Sequence, residues 1–585
     1  MLKLLKNMHR REALMALLCA LLVLGQVYFD LTLPDNMTEL TTLIKTPGSQ
    51  TADIWAVGLK MLGCTLASAL LAVICGYLAA RSASGFSYGV RKKLFEHVMD
   101  VGSQEMQDFS VPSLITRTTN DITQVQMIVA MGMQMLIKAP VTAIWAVIKI
   151  LGKSTELSLV TAGVVVVLCA VVLSIMLTCL PRFRIVQKLT DKINRVAREN
   201  LTGINVVHAF NAEDYQNEKF DGPSSDMYHT QLKNQHLFAV MTPAMSLGMN
   251  GLSLVIYWLG AALINNIPLT DMMQRLTMFG DVVVFGTYAT YVVMSFMMMV
   301  MIFMMLPQAQ VSAERINEVL DCRAHIIEGT SNGGQEKGTV EFQNVSFRYP
   351  HAAEDELTNL SFRVEKGETL AIIGATGSGK TTLISLIPRF YDATSGKVLV
   401  DGVDVKDYSF DALYDRLGYV TQKAVLFAGS IRENVFFGQS RAEENDQNLN
   451  RAIQLSQAGE FVEKLEDGTE HHIAQQGRNV SGGQKQRLSI ARALARDPEI
   501  LIFDDSFSAL DYRTDASLRE GLNRQLKDAT KIIVAQRIST IRHADKIIVL
   551  DHGEAVGMGT HEELMKNCDI YREIAASQLS AAELA

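Results

Sequence analysis

The chain has 585 residues, of which 48% are hydrophobic and 20% charged, and at this length at least two domains are expected because one core does not grow so large. The formal net charge of −8 argues against nucleic acid as the main partner. The seven cysteines form no Cys-x-x-Cys pair and five lie in apolar runs, so we expect buried thiols rather than a metal site or a disulfide framework.

Before about residue 310 the chain repeats apolar segments of the length that crosses a bilayer. We predict six spans, at about 12–33, 54–80, 128–151, 157–180, 240–265 and 282–306. A cluster of Lys and Arg between Lys3 and Arg11 precedes the first span, which places the N-terminus in the cytoplasm by the positive-inside rule. This cluster leads straight into a span too long for a signal peptide, which fits a bacterial inner membrane.

The outside loops then fall at 34–53, 152–156 and 266–281, and the inside connections at 81–127 and 181–239. Both inside connections are long, rich in Lys and Arg, and have apolar residues at helical spacing. We therefore expect the membrane helices to continue into the cytoplasm, with two separate soluble hairpins as the alternative.

Two lysines fall within the third span, where a charge is costly and must face an interior, a cavity or the interface. We expect Lys149 to extend toward the interface and Lys138, nearer the middle, to face a cavity. The last span ends in a methionine-rich run, Met294–Met305. Methionine can repack around unlike apolar ligands, although lipid-facing or core packing explains the run at least as well.

The composition changes after the spans: residues 1–310 predict a membrane domain and residues 311–337 a linker that includes a Gly-rich stretch. From there short apolar strands alternate with helical patterns, which predicts an α/β nucleotide-binding domain over 338–580. The expected fold class is thus a membrane α-helical bundle, six helices with long cytoplasmic extensions, followed by an α/β P-loop ATPase domain.

The central motif of the second domain runs from Gly374 to Thr382, between an apolar strand and an apolar helix. This context identifies a P-loop, in which glycines let backbone N–H groups point at phosphate oxygens. Lys380 can reach the β and γ phosphates, and the Thr381 hydroxyl can ligate Mg²⁺. The predicted ATP-binding residues of this loop are Gly374, Thr376, Gly377, Ser378, Gly379, Lys380, Thr381 and Thr382.

Two further segments of this domain carry residues suited to binding other parts of Mg-ATP. Tyr349 offers a ring that can stack on adenine, although an aromatic residue at a strand edge is ordinary. Asp504 and Asp505 end an apolar strand that we expect beside the P-loop strand, with Asp504 placed to hold Mg²⁺ through water.

A second anion-binding turn, Val480–Arg487, opens a helix. One triphosphate does not need two such turns, whereas two chains facing each other would use both.

The order of these motifs resembles the ATP-binding cassette family: aromatic loop, Walker A, glutamine loop, signature, Walker B, aspartate loop and switch loop. The resemblance covers almost the whole chain, because six spans with long inside helices are similar to the exporter half-transporter of this family. It implies coupling regions at Asp108–Asp121 and Arg195–Phe210. It further implies nucleotide-site roles, on this chain's site or on its partner's, for Gln422, Ser481, Gly482, Gly483, Gln484 and Asp511, with Gln422 also near Mg²⁺.

Two positions depart from the family pattern. The residue after the Walker B Asp is normally Glu and here is Asp505, which is shorter by one methylene. The switch loop normally carries His and here has Gln536, which cannot be a cation or shuttle a proton. Both belong to the site on this chain's own P-loop, whereas the signature is intact apart from Val480 in place of Leu.

This combination is similar to the degenerate-site subunit of bacterial heterodimeric multidrug exporters. It implies a second half-transporter as partner, membrane lipid as surroundings and a small, hydrophobic or amphipathic cargo. A slow homodimer, a lipid or peptide cargo, and an ATP-gated membrane protein without transport remain the alternatives.

Overall fold

The computed structural model describes residues 1–45, 49–102, 105, 109–151, 155–268, 270–323, 325–350, 352–438 and 443–579. They form two units: Met1–Val98 with Val111–Asp321, and Met99–Ser110 with Cys322–Ala585. Asp108 and residue 580, at the ends of two predicted segments, lie outside the described residues, as do parts of the predicted outside loops.

The first unit consists of six long helices. They are α1 (Arg10–Lys45), α2 (Thr51–Asp100), α3 (Val111–Leu151), α4 (Thr155–Thr202), α5 (Glu213–Asn265) and α6 (Met272–Asp321), with two short helices at Leu2–Leu5 and Ile204–Ala209. All six are long and apolar enough to cross a membrane, which confirms the six predicted spans.

Helix α3 is not regular along its length. Its α-helical parts, Val111–Thr116, Ile122–Met131 and Ile137–Leu151, are joined by π-helical turns at Arg117–Asp121 and Gly132–Leu136. The second π turn lies just before Pro140, whose missing N–H removes one helical hydrogen bond. Such turns occur frequently at functional sites.

The predicted inside connections are helical continuations of the spans. Helix α2 runs to Asp100 and α4 to Thr202, and α5 already begins at Glu213, so separate soluble hairpins are excluded there. The first predicted outside loop is shorter than expected, because α1 continues through Pro34 to Lys45.

Small residues bring the long helices together. A Cβ on Gly260 of α5 would lie 2.5 Å from the Val282 side chain of α6, and one on Gly248 would lie 2.7 Å from Leu168 of α4. Because glycine has no side chain, the helices can approach each other closely at these two positions, and close approach stabilises membrane bundles through van der Waals packing.

One expectation for this unit was partly wrong. Cys19, Cys75 and Cys179 are buried, but Cys169 is exposed because it faces a cavity on α4 rather than a neighbouring helix. In the methionine-rich run, Met294 and Met301 are exposed, as lipid-facing packing of part of the run would require.

The predicted linker begins too early. Residues 311–321 are the last turns of α6, and the chain leaves the helix only after Asp321. The Gly-rich part is ordered by backbone hydrogen bonds, from Gly329 to the Tyr408 carbonyl at 2.9 Å and from Ser331 to the Asp407 carbonyl at 2.8 Å. These residues therefore belong to the fold of the second unit.

The second unit contains two main sheets. Its strands are β1 (Val340–Phe347), β2 (Leu357–Val364), β3 (Thr369–Gly374), β4 (Ser395–Val400), β5 (Val403–Asp404), β6 (Leu417–Val420), β7 (Gly429–Ser430), β8 (His472–Ile473), β9 (Ile500–Asp504), β10 (Thr530–Val534), β11 (Lys546–Asp551) and β12 (Glu554–Gly559). Strands β2-β1-β4-β5 form an antiparallel sheet, and β12-β11-β3-β10-β9-β6 form a mostly parallel sheet.

The helices of this unit flank the parallel sheet and bury the apolar faces of its strands. They are α7 (Lys380–Ser385), α8 (Phe410–Tyr414), α9 (Ile431–Val435), α10 (Asp446–Leu455), α11 (Gly459–Val462), α12 (Gly482–Ala495), α13 (Tyr512–Gln525), α14 (Ile538–Ile541), α15 (His561–Asn567) and α16 (Asp569–Gln578), with 3-10 turns at Gly468–Glu470 and Gln475–Gly477. Strand β9 is buried at all five residues, as a strand covered on both faces should be.

We had expected the strand that ends in Asp504 to lie beside the P-loop strand, and this prediction was wrong. Strand β10 lies between them, with Val534 opposite Ile372 of β3 on one side and Asp504 of β9 on the other. The three parallel strands end at the same edge of the sheet, so the switch loop after β10 is central in the site.

Candidate nucleotide-binding site

The P-loop connects β3 to α7 through two glycines in the left-handed region. Gly377 has φ 83° and Gly379 has φ 92°, conformations that glycine adopts at little cost. A Cβ at Gly377 would meet nothing within 4 Å, whereas one at Gly374 would lie 2.1 Å from the Leu550 carbonyl. The lack of a side chain at Gly374 thus lets β11 pack closely against the start of the loop. The open side of the loop is suited to a triphosphate.

The Lys380 ammonium lies against this loop. Its Nζ donates to the carbonyls of Gly374 at 2.9 Å and Ala375 at 2.6 Å. Burial lowers the pKa of Lys380, and the charges of Asp505 and Asp504 oppose that shift. The ammonium is therefore held where β and γ phosphate oxygens can replace the carbonyls as acceptors.

Two oxygen ligands suited to Mg²⁺ meet at the start of α7. The Thr381 hydroxyl donates to Asp504 Oδ1 at 3.0 Å. Mg²⁺ usually takes one or two protein oxygens, several waters and the phosphates, so this pair fits the ion without further protein ligands. Among the described residues there is no cluster of three or more His, Cys, Asp or Glu that could form a separate metal site.

Burial raises the pKa of the Asp504 carboxyl, and the Asp505 charge adds to the rise while Thr381 and Lys380 oppose it. Because the pKa of this carboxyl is higher in the folded state than in the unfolded state, its ionisation destabilises the folded state. The free energy of unfolding therefore falls as the pH rises from the ordinary Asp pKa through the folded pKa. Asp504→Asn keeps an acceptor for Thr381 and removes the charge. We expect its thermal unfolding midpoint, without Mg²⁺, to exceed the parent's at pH 7 and to match it near pH 4; an equal difference at both pH values would contradict this.

Asp505 is bound by the side chain that replaces the usual switch-loop His. Gln536 Nε2 donates to Asp505 Oδ2 at 2.7 Å, the Gln422 side chain also hydrogen-bonds to Asp505, and Ser508 Oγ donates to the Asp505 backbone carbonyl at 2.8 Å. Asp505 is 8% exposed and has φ 47°; burial raises its pKa, and these hydrogen bonds oppose the rise. The structure thus joins the two departures from the family pattern, and it brings Gln422 to Asp505.

Tyr349 lies against the P-loop helix. Its hydroxyl is 2.9 Å from the Thr382 Oγ1, and its ring packs edge-on against Phe347 and Tyr391. This contact fixes the ring beside the phosphate loop, and stacking on adenine stays a prediction. Thr376 is exposed at the tip of the loop, whereas Ser378 is buried.

The signature turn forms a complete N-terminal cap on α12. Gln484 N donates to Ser481 Oγ at 3.3 Å, and Ser481 N donates to Gln484 Oε1 at 2.8 Å, which is a capping box. Gly482 and Gly483 follow with their N–H groups at the helix N-terminus, where anions are favoured. Asp511 caps α13 in a similar way, accepting from Thr514 N at 3.0 Å, and these hydrogen bonds lower its pKa.

We expect Ser481→Ala to lower the free energy of unfolding by about 1 kcal/mol, the usual effect of losing an N-cap side chain. Ser481→Asp keeps an acceptor at the cap and is the matched control, so its stability in urea should stay near the parent's. Equal losses in both variants would mean that the cap does not stabilise α12.

A six-helix membrane bundle fused to a P-loop ATPase with a signature turn defines a membrane transporter ATPase. The family description "ABC transporter" matches residues 357–508, and "ABC transporter transmembrane region" matches residues 14–296. The chain belongs to the ABC transporter family and has the fused domains of an exporter half-transporter. ABC exporters work as dimers, and the ATPase domain binds ATP.

Curated relatives match over most of their length. An uncharacterized ABC transporter ATP-binding protein of Mycobacterium tuberculosis is 38% identical over 91% of this chain and 90% of its own. The ATP-dependent lipid A-core flippase of Aromatoleum aromaticum is 31% identical over 86% and 82%, and the putative multidrug export ATP-binding/permease protein YgaD of Bacillus subtilis is 31% identical over 85% and 84%.

Among solved structures, that of a bacterial Atm1-family ABC exporter with ATP bound aligns with a TM-score of 0.78 at 23% identity, covering 98% of this chain and 99% of that one. This likeness supports the exporter fold.

Proposed function

We propose that this chain is one subunit of a heterodimeric exporter, and that it binds Mg-ATP at its own P-loop but hydrolyses it poorly there. The observation that carries the proposal is the 2.7 Å hydrogen bond between Gln536 Nε2 and Asp505 Oδ2. Water activation needs a carboxylate within reach of the attacking water. Here the carboxylate is short and already accepts hydrogen bonds from amide side chains.

Gln536 cannot compensate for this arrangement. An amide donates a hydrogen bond but carries neither a positive charge nor a transferable proton. Loss of a positioned general base typically lowers a rate by about 10²- to 10⁴-fold. We expect Mg-ATP binding not to depend on these two side chains, because Lys380, Thr381 and Asp504, the residues predicted to contact the phosphates and Mg²⁺, are all present.

The intact signature turn would complete the ATP site of the partner. In the proposed cycle, ATP binding closes the two ATPase domains head to tail, and the long helices turn an inward-facing cavity outward. Ser481 and Gly483 of this chain contact the γ-phosphate on the partner's P-loop, where most hydrolysis occurs. ATP at this chain's own site stays bound and keeps the domains close.

The proposed location is a bacterial cytoplasmic membrane, with the N-terminus and the ATPase domain in the cytoplasm. Support comes from the Lys and Arg residues before the first span and in both inside connections.

The proposed cargo is small and hydrophobic or amphipathic. A cavity of about 390 Å³ lies between α4, α5 and α6 and is lined by apolar side chains, including Leu168, Met176, Met245 and Phe296. Flexible methionines suit a surface that accepts molecules of different shapes. The relative described as a putative multidrug export protein supports this class of cargo.

The second candidate is a homodimeric exporter of lipid, since one relative is described as a lipid A-core flippase. The class of molecule that stimulates ATP turnover, lipid or drug, would distinguish the two kinds of cargo.

The first test is ATP turnover by the purified chain alone, in lipid, at saturating Mg-ATP. We expect near-zero turnover with ATP binding retained, because the competent site belongs to another chain. Turnover of the order of 1 s⁻¹ or faster, ordinary for an enzyme, would overturn the heterodimer proposal and favour the homodimer.

A further inference from the structure

Four methionines from two neighbouring helices line one small cavity. Met131 and Met135 belong to α3, and Met301 and Met305 belong to α6. Residues four apart share a face of a helix, so each helix contributes a pair of thioethers to the cavity. The other lining residues, which include Gly132, have aliphatic side chains or none. The sulfurs are therefore the only side-chain atoms at this cavity with lone pairs.

The backbone of α3 is irregular beside this cavity. Met131 ends one α-helical part, and Met135 lies in the π-helical turn Gly132–Leu136. Such turns interrupt α-helices frequently at functional sites. A Cβ at Gly132 would meet nothing within 4 Å, so open space adjoins the turn. The irregular turn thus lies where methionines of the two helices border the same space.

The size of the cavity limits what it can bind. Its volume is about 30 Å³, close to the volume that one molecule occupies in liquid water. Pockets for drug-sized molecules measure about 300–1,000 Å³, a range that includes the larger cavity between α4, α5 and α6 and excludes this one. A ligand of this cavity is therefore no larger than a single ion.

Core packing alone does not account for the cavity. Methionine is flexible and readily fills irregular gaps between helices, so four methionines around a gap should close it. Instead they border it and leave the space open. Met301 is 48% exposed, so the cavity lies near the surface of the helix pair, and an ion can enter without unfolding the bundle.

The chemistry of the thioether defines the class of ion. Soft sulfur ligands such as methionine select Cu⁺, whereas carboxylates, carbonyls and water suit Mg²⁺ and Ca²⁺. A thioether is also neutral, so thioethers alone cannot compensate a double charge in apolar surroundings, where charge is costly. A soft cation with a single charge satisfies both conditions.

We propose that Met131, Met135, Met301 and Met305 form a binding site for a soft monovalent cation, Cu⁺ or the chemically similar Ag⁺, which would join α3 to α6. These residues lie at the start of the third predicted span and at the end of the sixth, so the site belongs to the predicted cytoplasmic side of the membrane domain. The proposal does not rest on the exporter function, because binding is measured without ATP and without a partner chain.

The experiment observes the methionines directly by NMR. The full chain carries isotopically labelled methyl groups on its 28 methionines and is placed in phosphatidylcholine nanodiscs. Silver nitrate is added in chloride-free buffer, because Ag⁺ has the charge and the filled d shell of Cu⁺ and is stable in air. Silver held by the cysteines adds no ligand to a methionine sulfur, so the methyl resonances report the thioether site.

We expect the four methyl resonances to shift over the same range of silver concentration and to reach a plateau together. Met131→Leu with Met301→Leu removes one sulfur from each helix and nearly conserves volume. Losing a group that only orients a metal ligand lowers metal affinity by about 10- to 100-fold. The variant should therefore raise the half-saturating silver concentration of the two remaining resonances by at least about tenfold. Met135→Leu with Met305→Leu gives the same test if the first variant does not fold.

Met241→Leu with Met249→Leu is the matched control, because these methionines of α5 pack against the core of the bundle. This variant should bind silver as the parent does, and Zn²⁺ and Mg²⁺ should leave the four resonances of the parent unchanged.

Three results would overturn the proposal: no shift with silver or shifts spread over methionines throughout the chain, an unchanged titration in the folded variants, or an equal response to Zn²⁺. Cu⁺ kept reduced with ascorbate identifies the ion. Displacement of silver by Cu⁺ would support the site and assign it to copper, and retention of silver would support it for silver.

Discussion

Restoring both departures, with Asp505→Glu and Gln536→His in one chain, is expected to raise ATP turnover in lipid by about 10²-fold or more. Glu extends the carboxylate by about 1 Å, a distance that matters for positioning a reacting water. His supplies a group that can be a cation against the γ-phosphate. Turnover is measured as phosphate release at saturating Mg-ATP, alone and in a complex whose partner site is disabled.

The single variants are the matched comparison. Because the two side chains share a 2.7 Å hydrogen bond, their effects should not add, and each alone should recover less than half of the gain on a logarithmic scale. Adding Lys380→Ala to the double variant should abolish the gain. No increase in a preparation that binds ATP and dimerises would contradict an impaired site.

Lys380→Ala is expected to lower the affinity for Mg-ATP by about 10²-fold, since charge-assisted hydrogen bonds contribute roughly 1.5–3 kcal/mol each. The ammonium now donates to the Gly374 and Ala375 carbonyls, and phosphate oxygens would take over these donors. Affinity is measured by calorimetry at constant Mg²⁺.

Lys397→Ala, which removes an exposed lysine from β4, is the matched control and should bind as the parent does. The unfolding midpoint of Lys380→Ala without nucleotide should stay close to the parent's, because the loop keeps its two glycine turns. A threefold change in affinity corresponds to less free energy than one charge-assisted hydrogen bond contributes. An affinity for Mg-ATP within about threefold of the parent's would therefore exclude Lys380 from phosphate binding.

The P-loop could be predicted because all its parts are contiguous. Glycines with positive φ, a lysine and a threonine lie within nine residues, between a strand and a helix whose apolar runs are visible in the sequence. The six spans were predictable for the same reason, as hydropathy is a local property.

Contacts between distant residues could not be predicted. The Gln536–Asp505 hydrogen bond joins residues 31 apart and depends on β10 lying between β3 and β9, an order that motif spacing does not determine. The ion pair between Lys138 and Asp30, whose Nζ and Oδ2 lie 3.2 Å apart, joins residues of α3 and α1, and helix rotation, not hydropathy, decides that they meet. The linker was misplaced because α6 loses its apolar character before it loses its helical structure.

The capping box of the signature turn affects the kinetics of domain closure. Ser481 and Gln484 already hold each other's backbone N–H groups in the single chain, so no loop has to become ordered when a second ATPase domain arrives. Surfaces formed in advance lose less conformational entropy on association. The encounter is then a docking of two rigid surfaces, and the lifetime of the closed state depends on the bound nucleotides rather than on refolding of this turn.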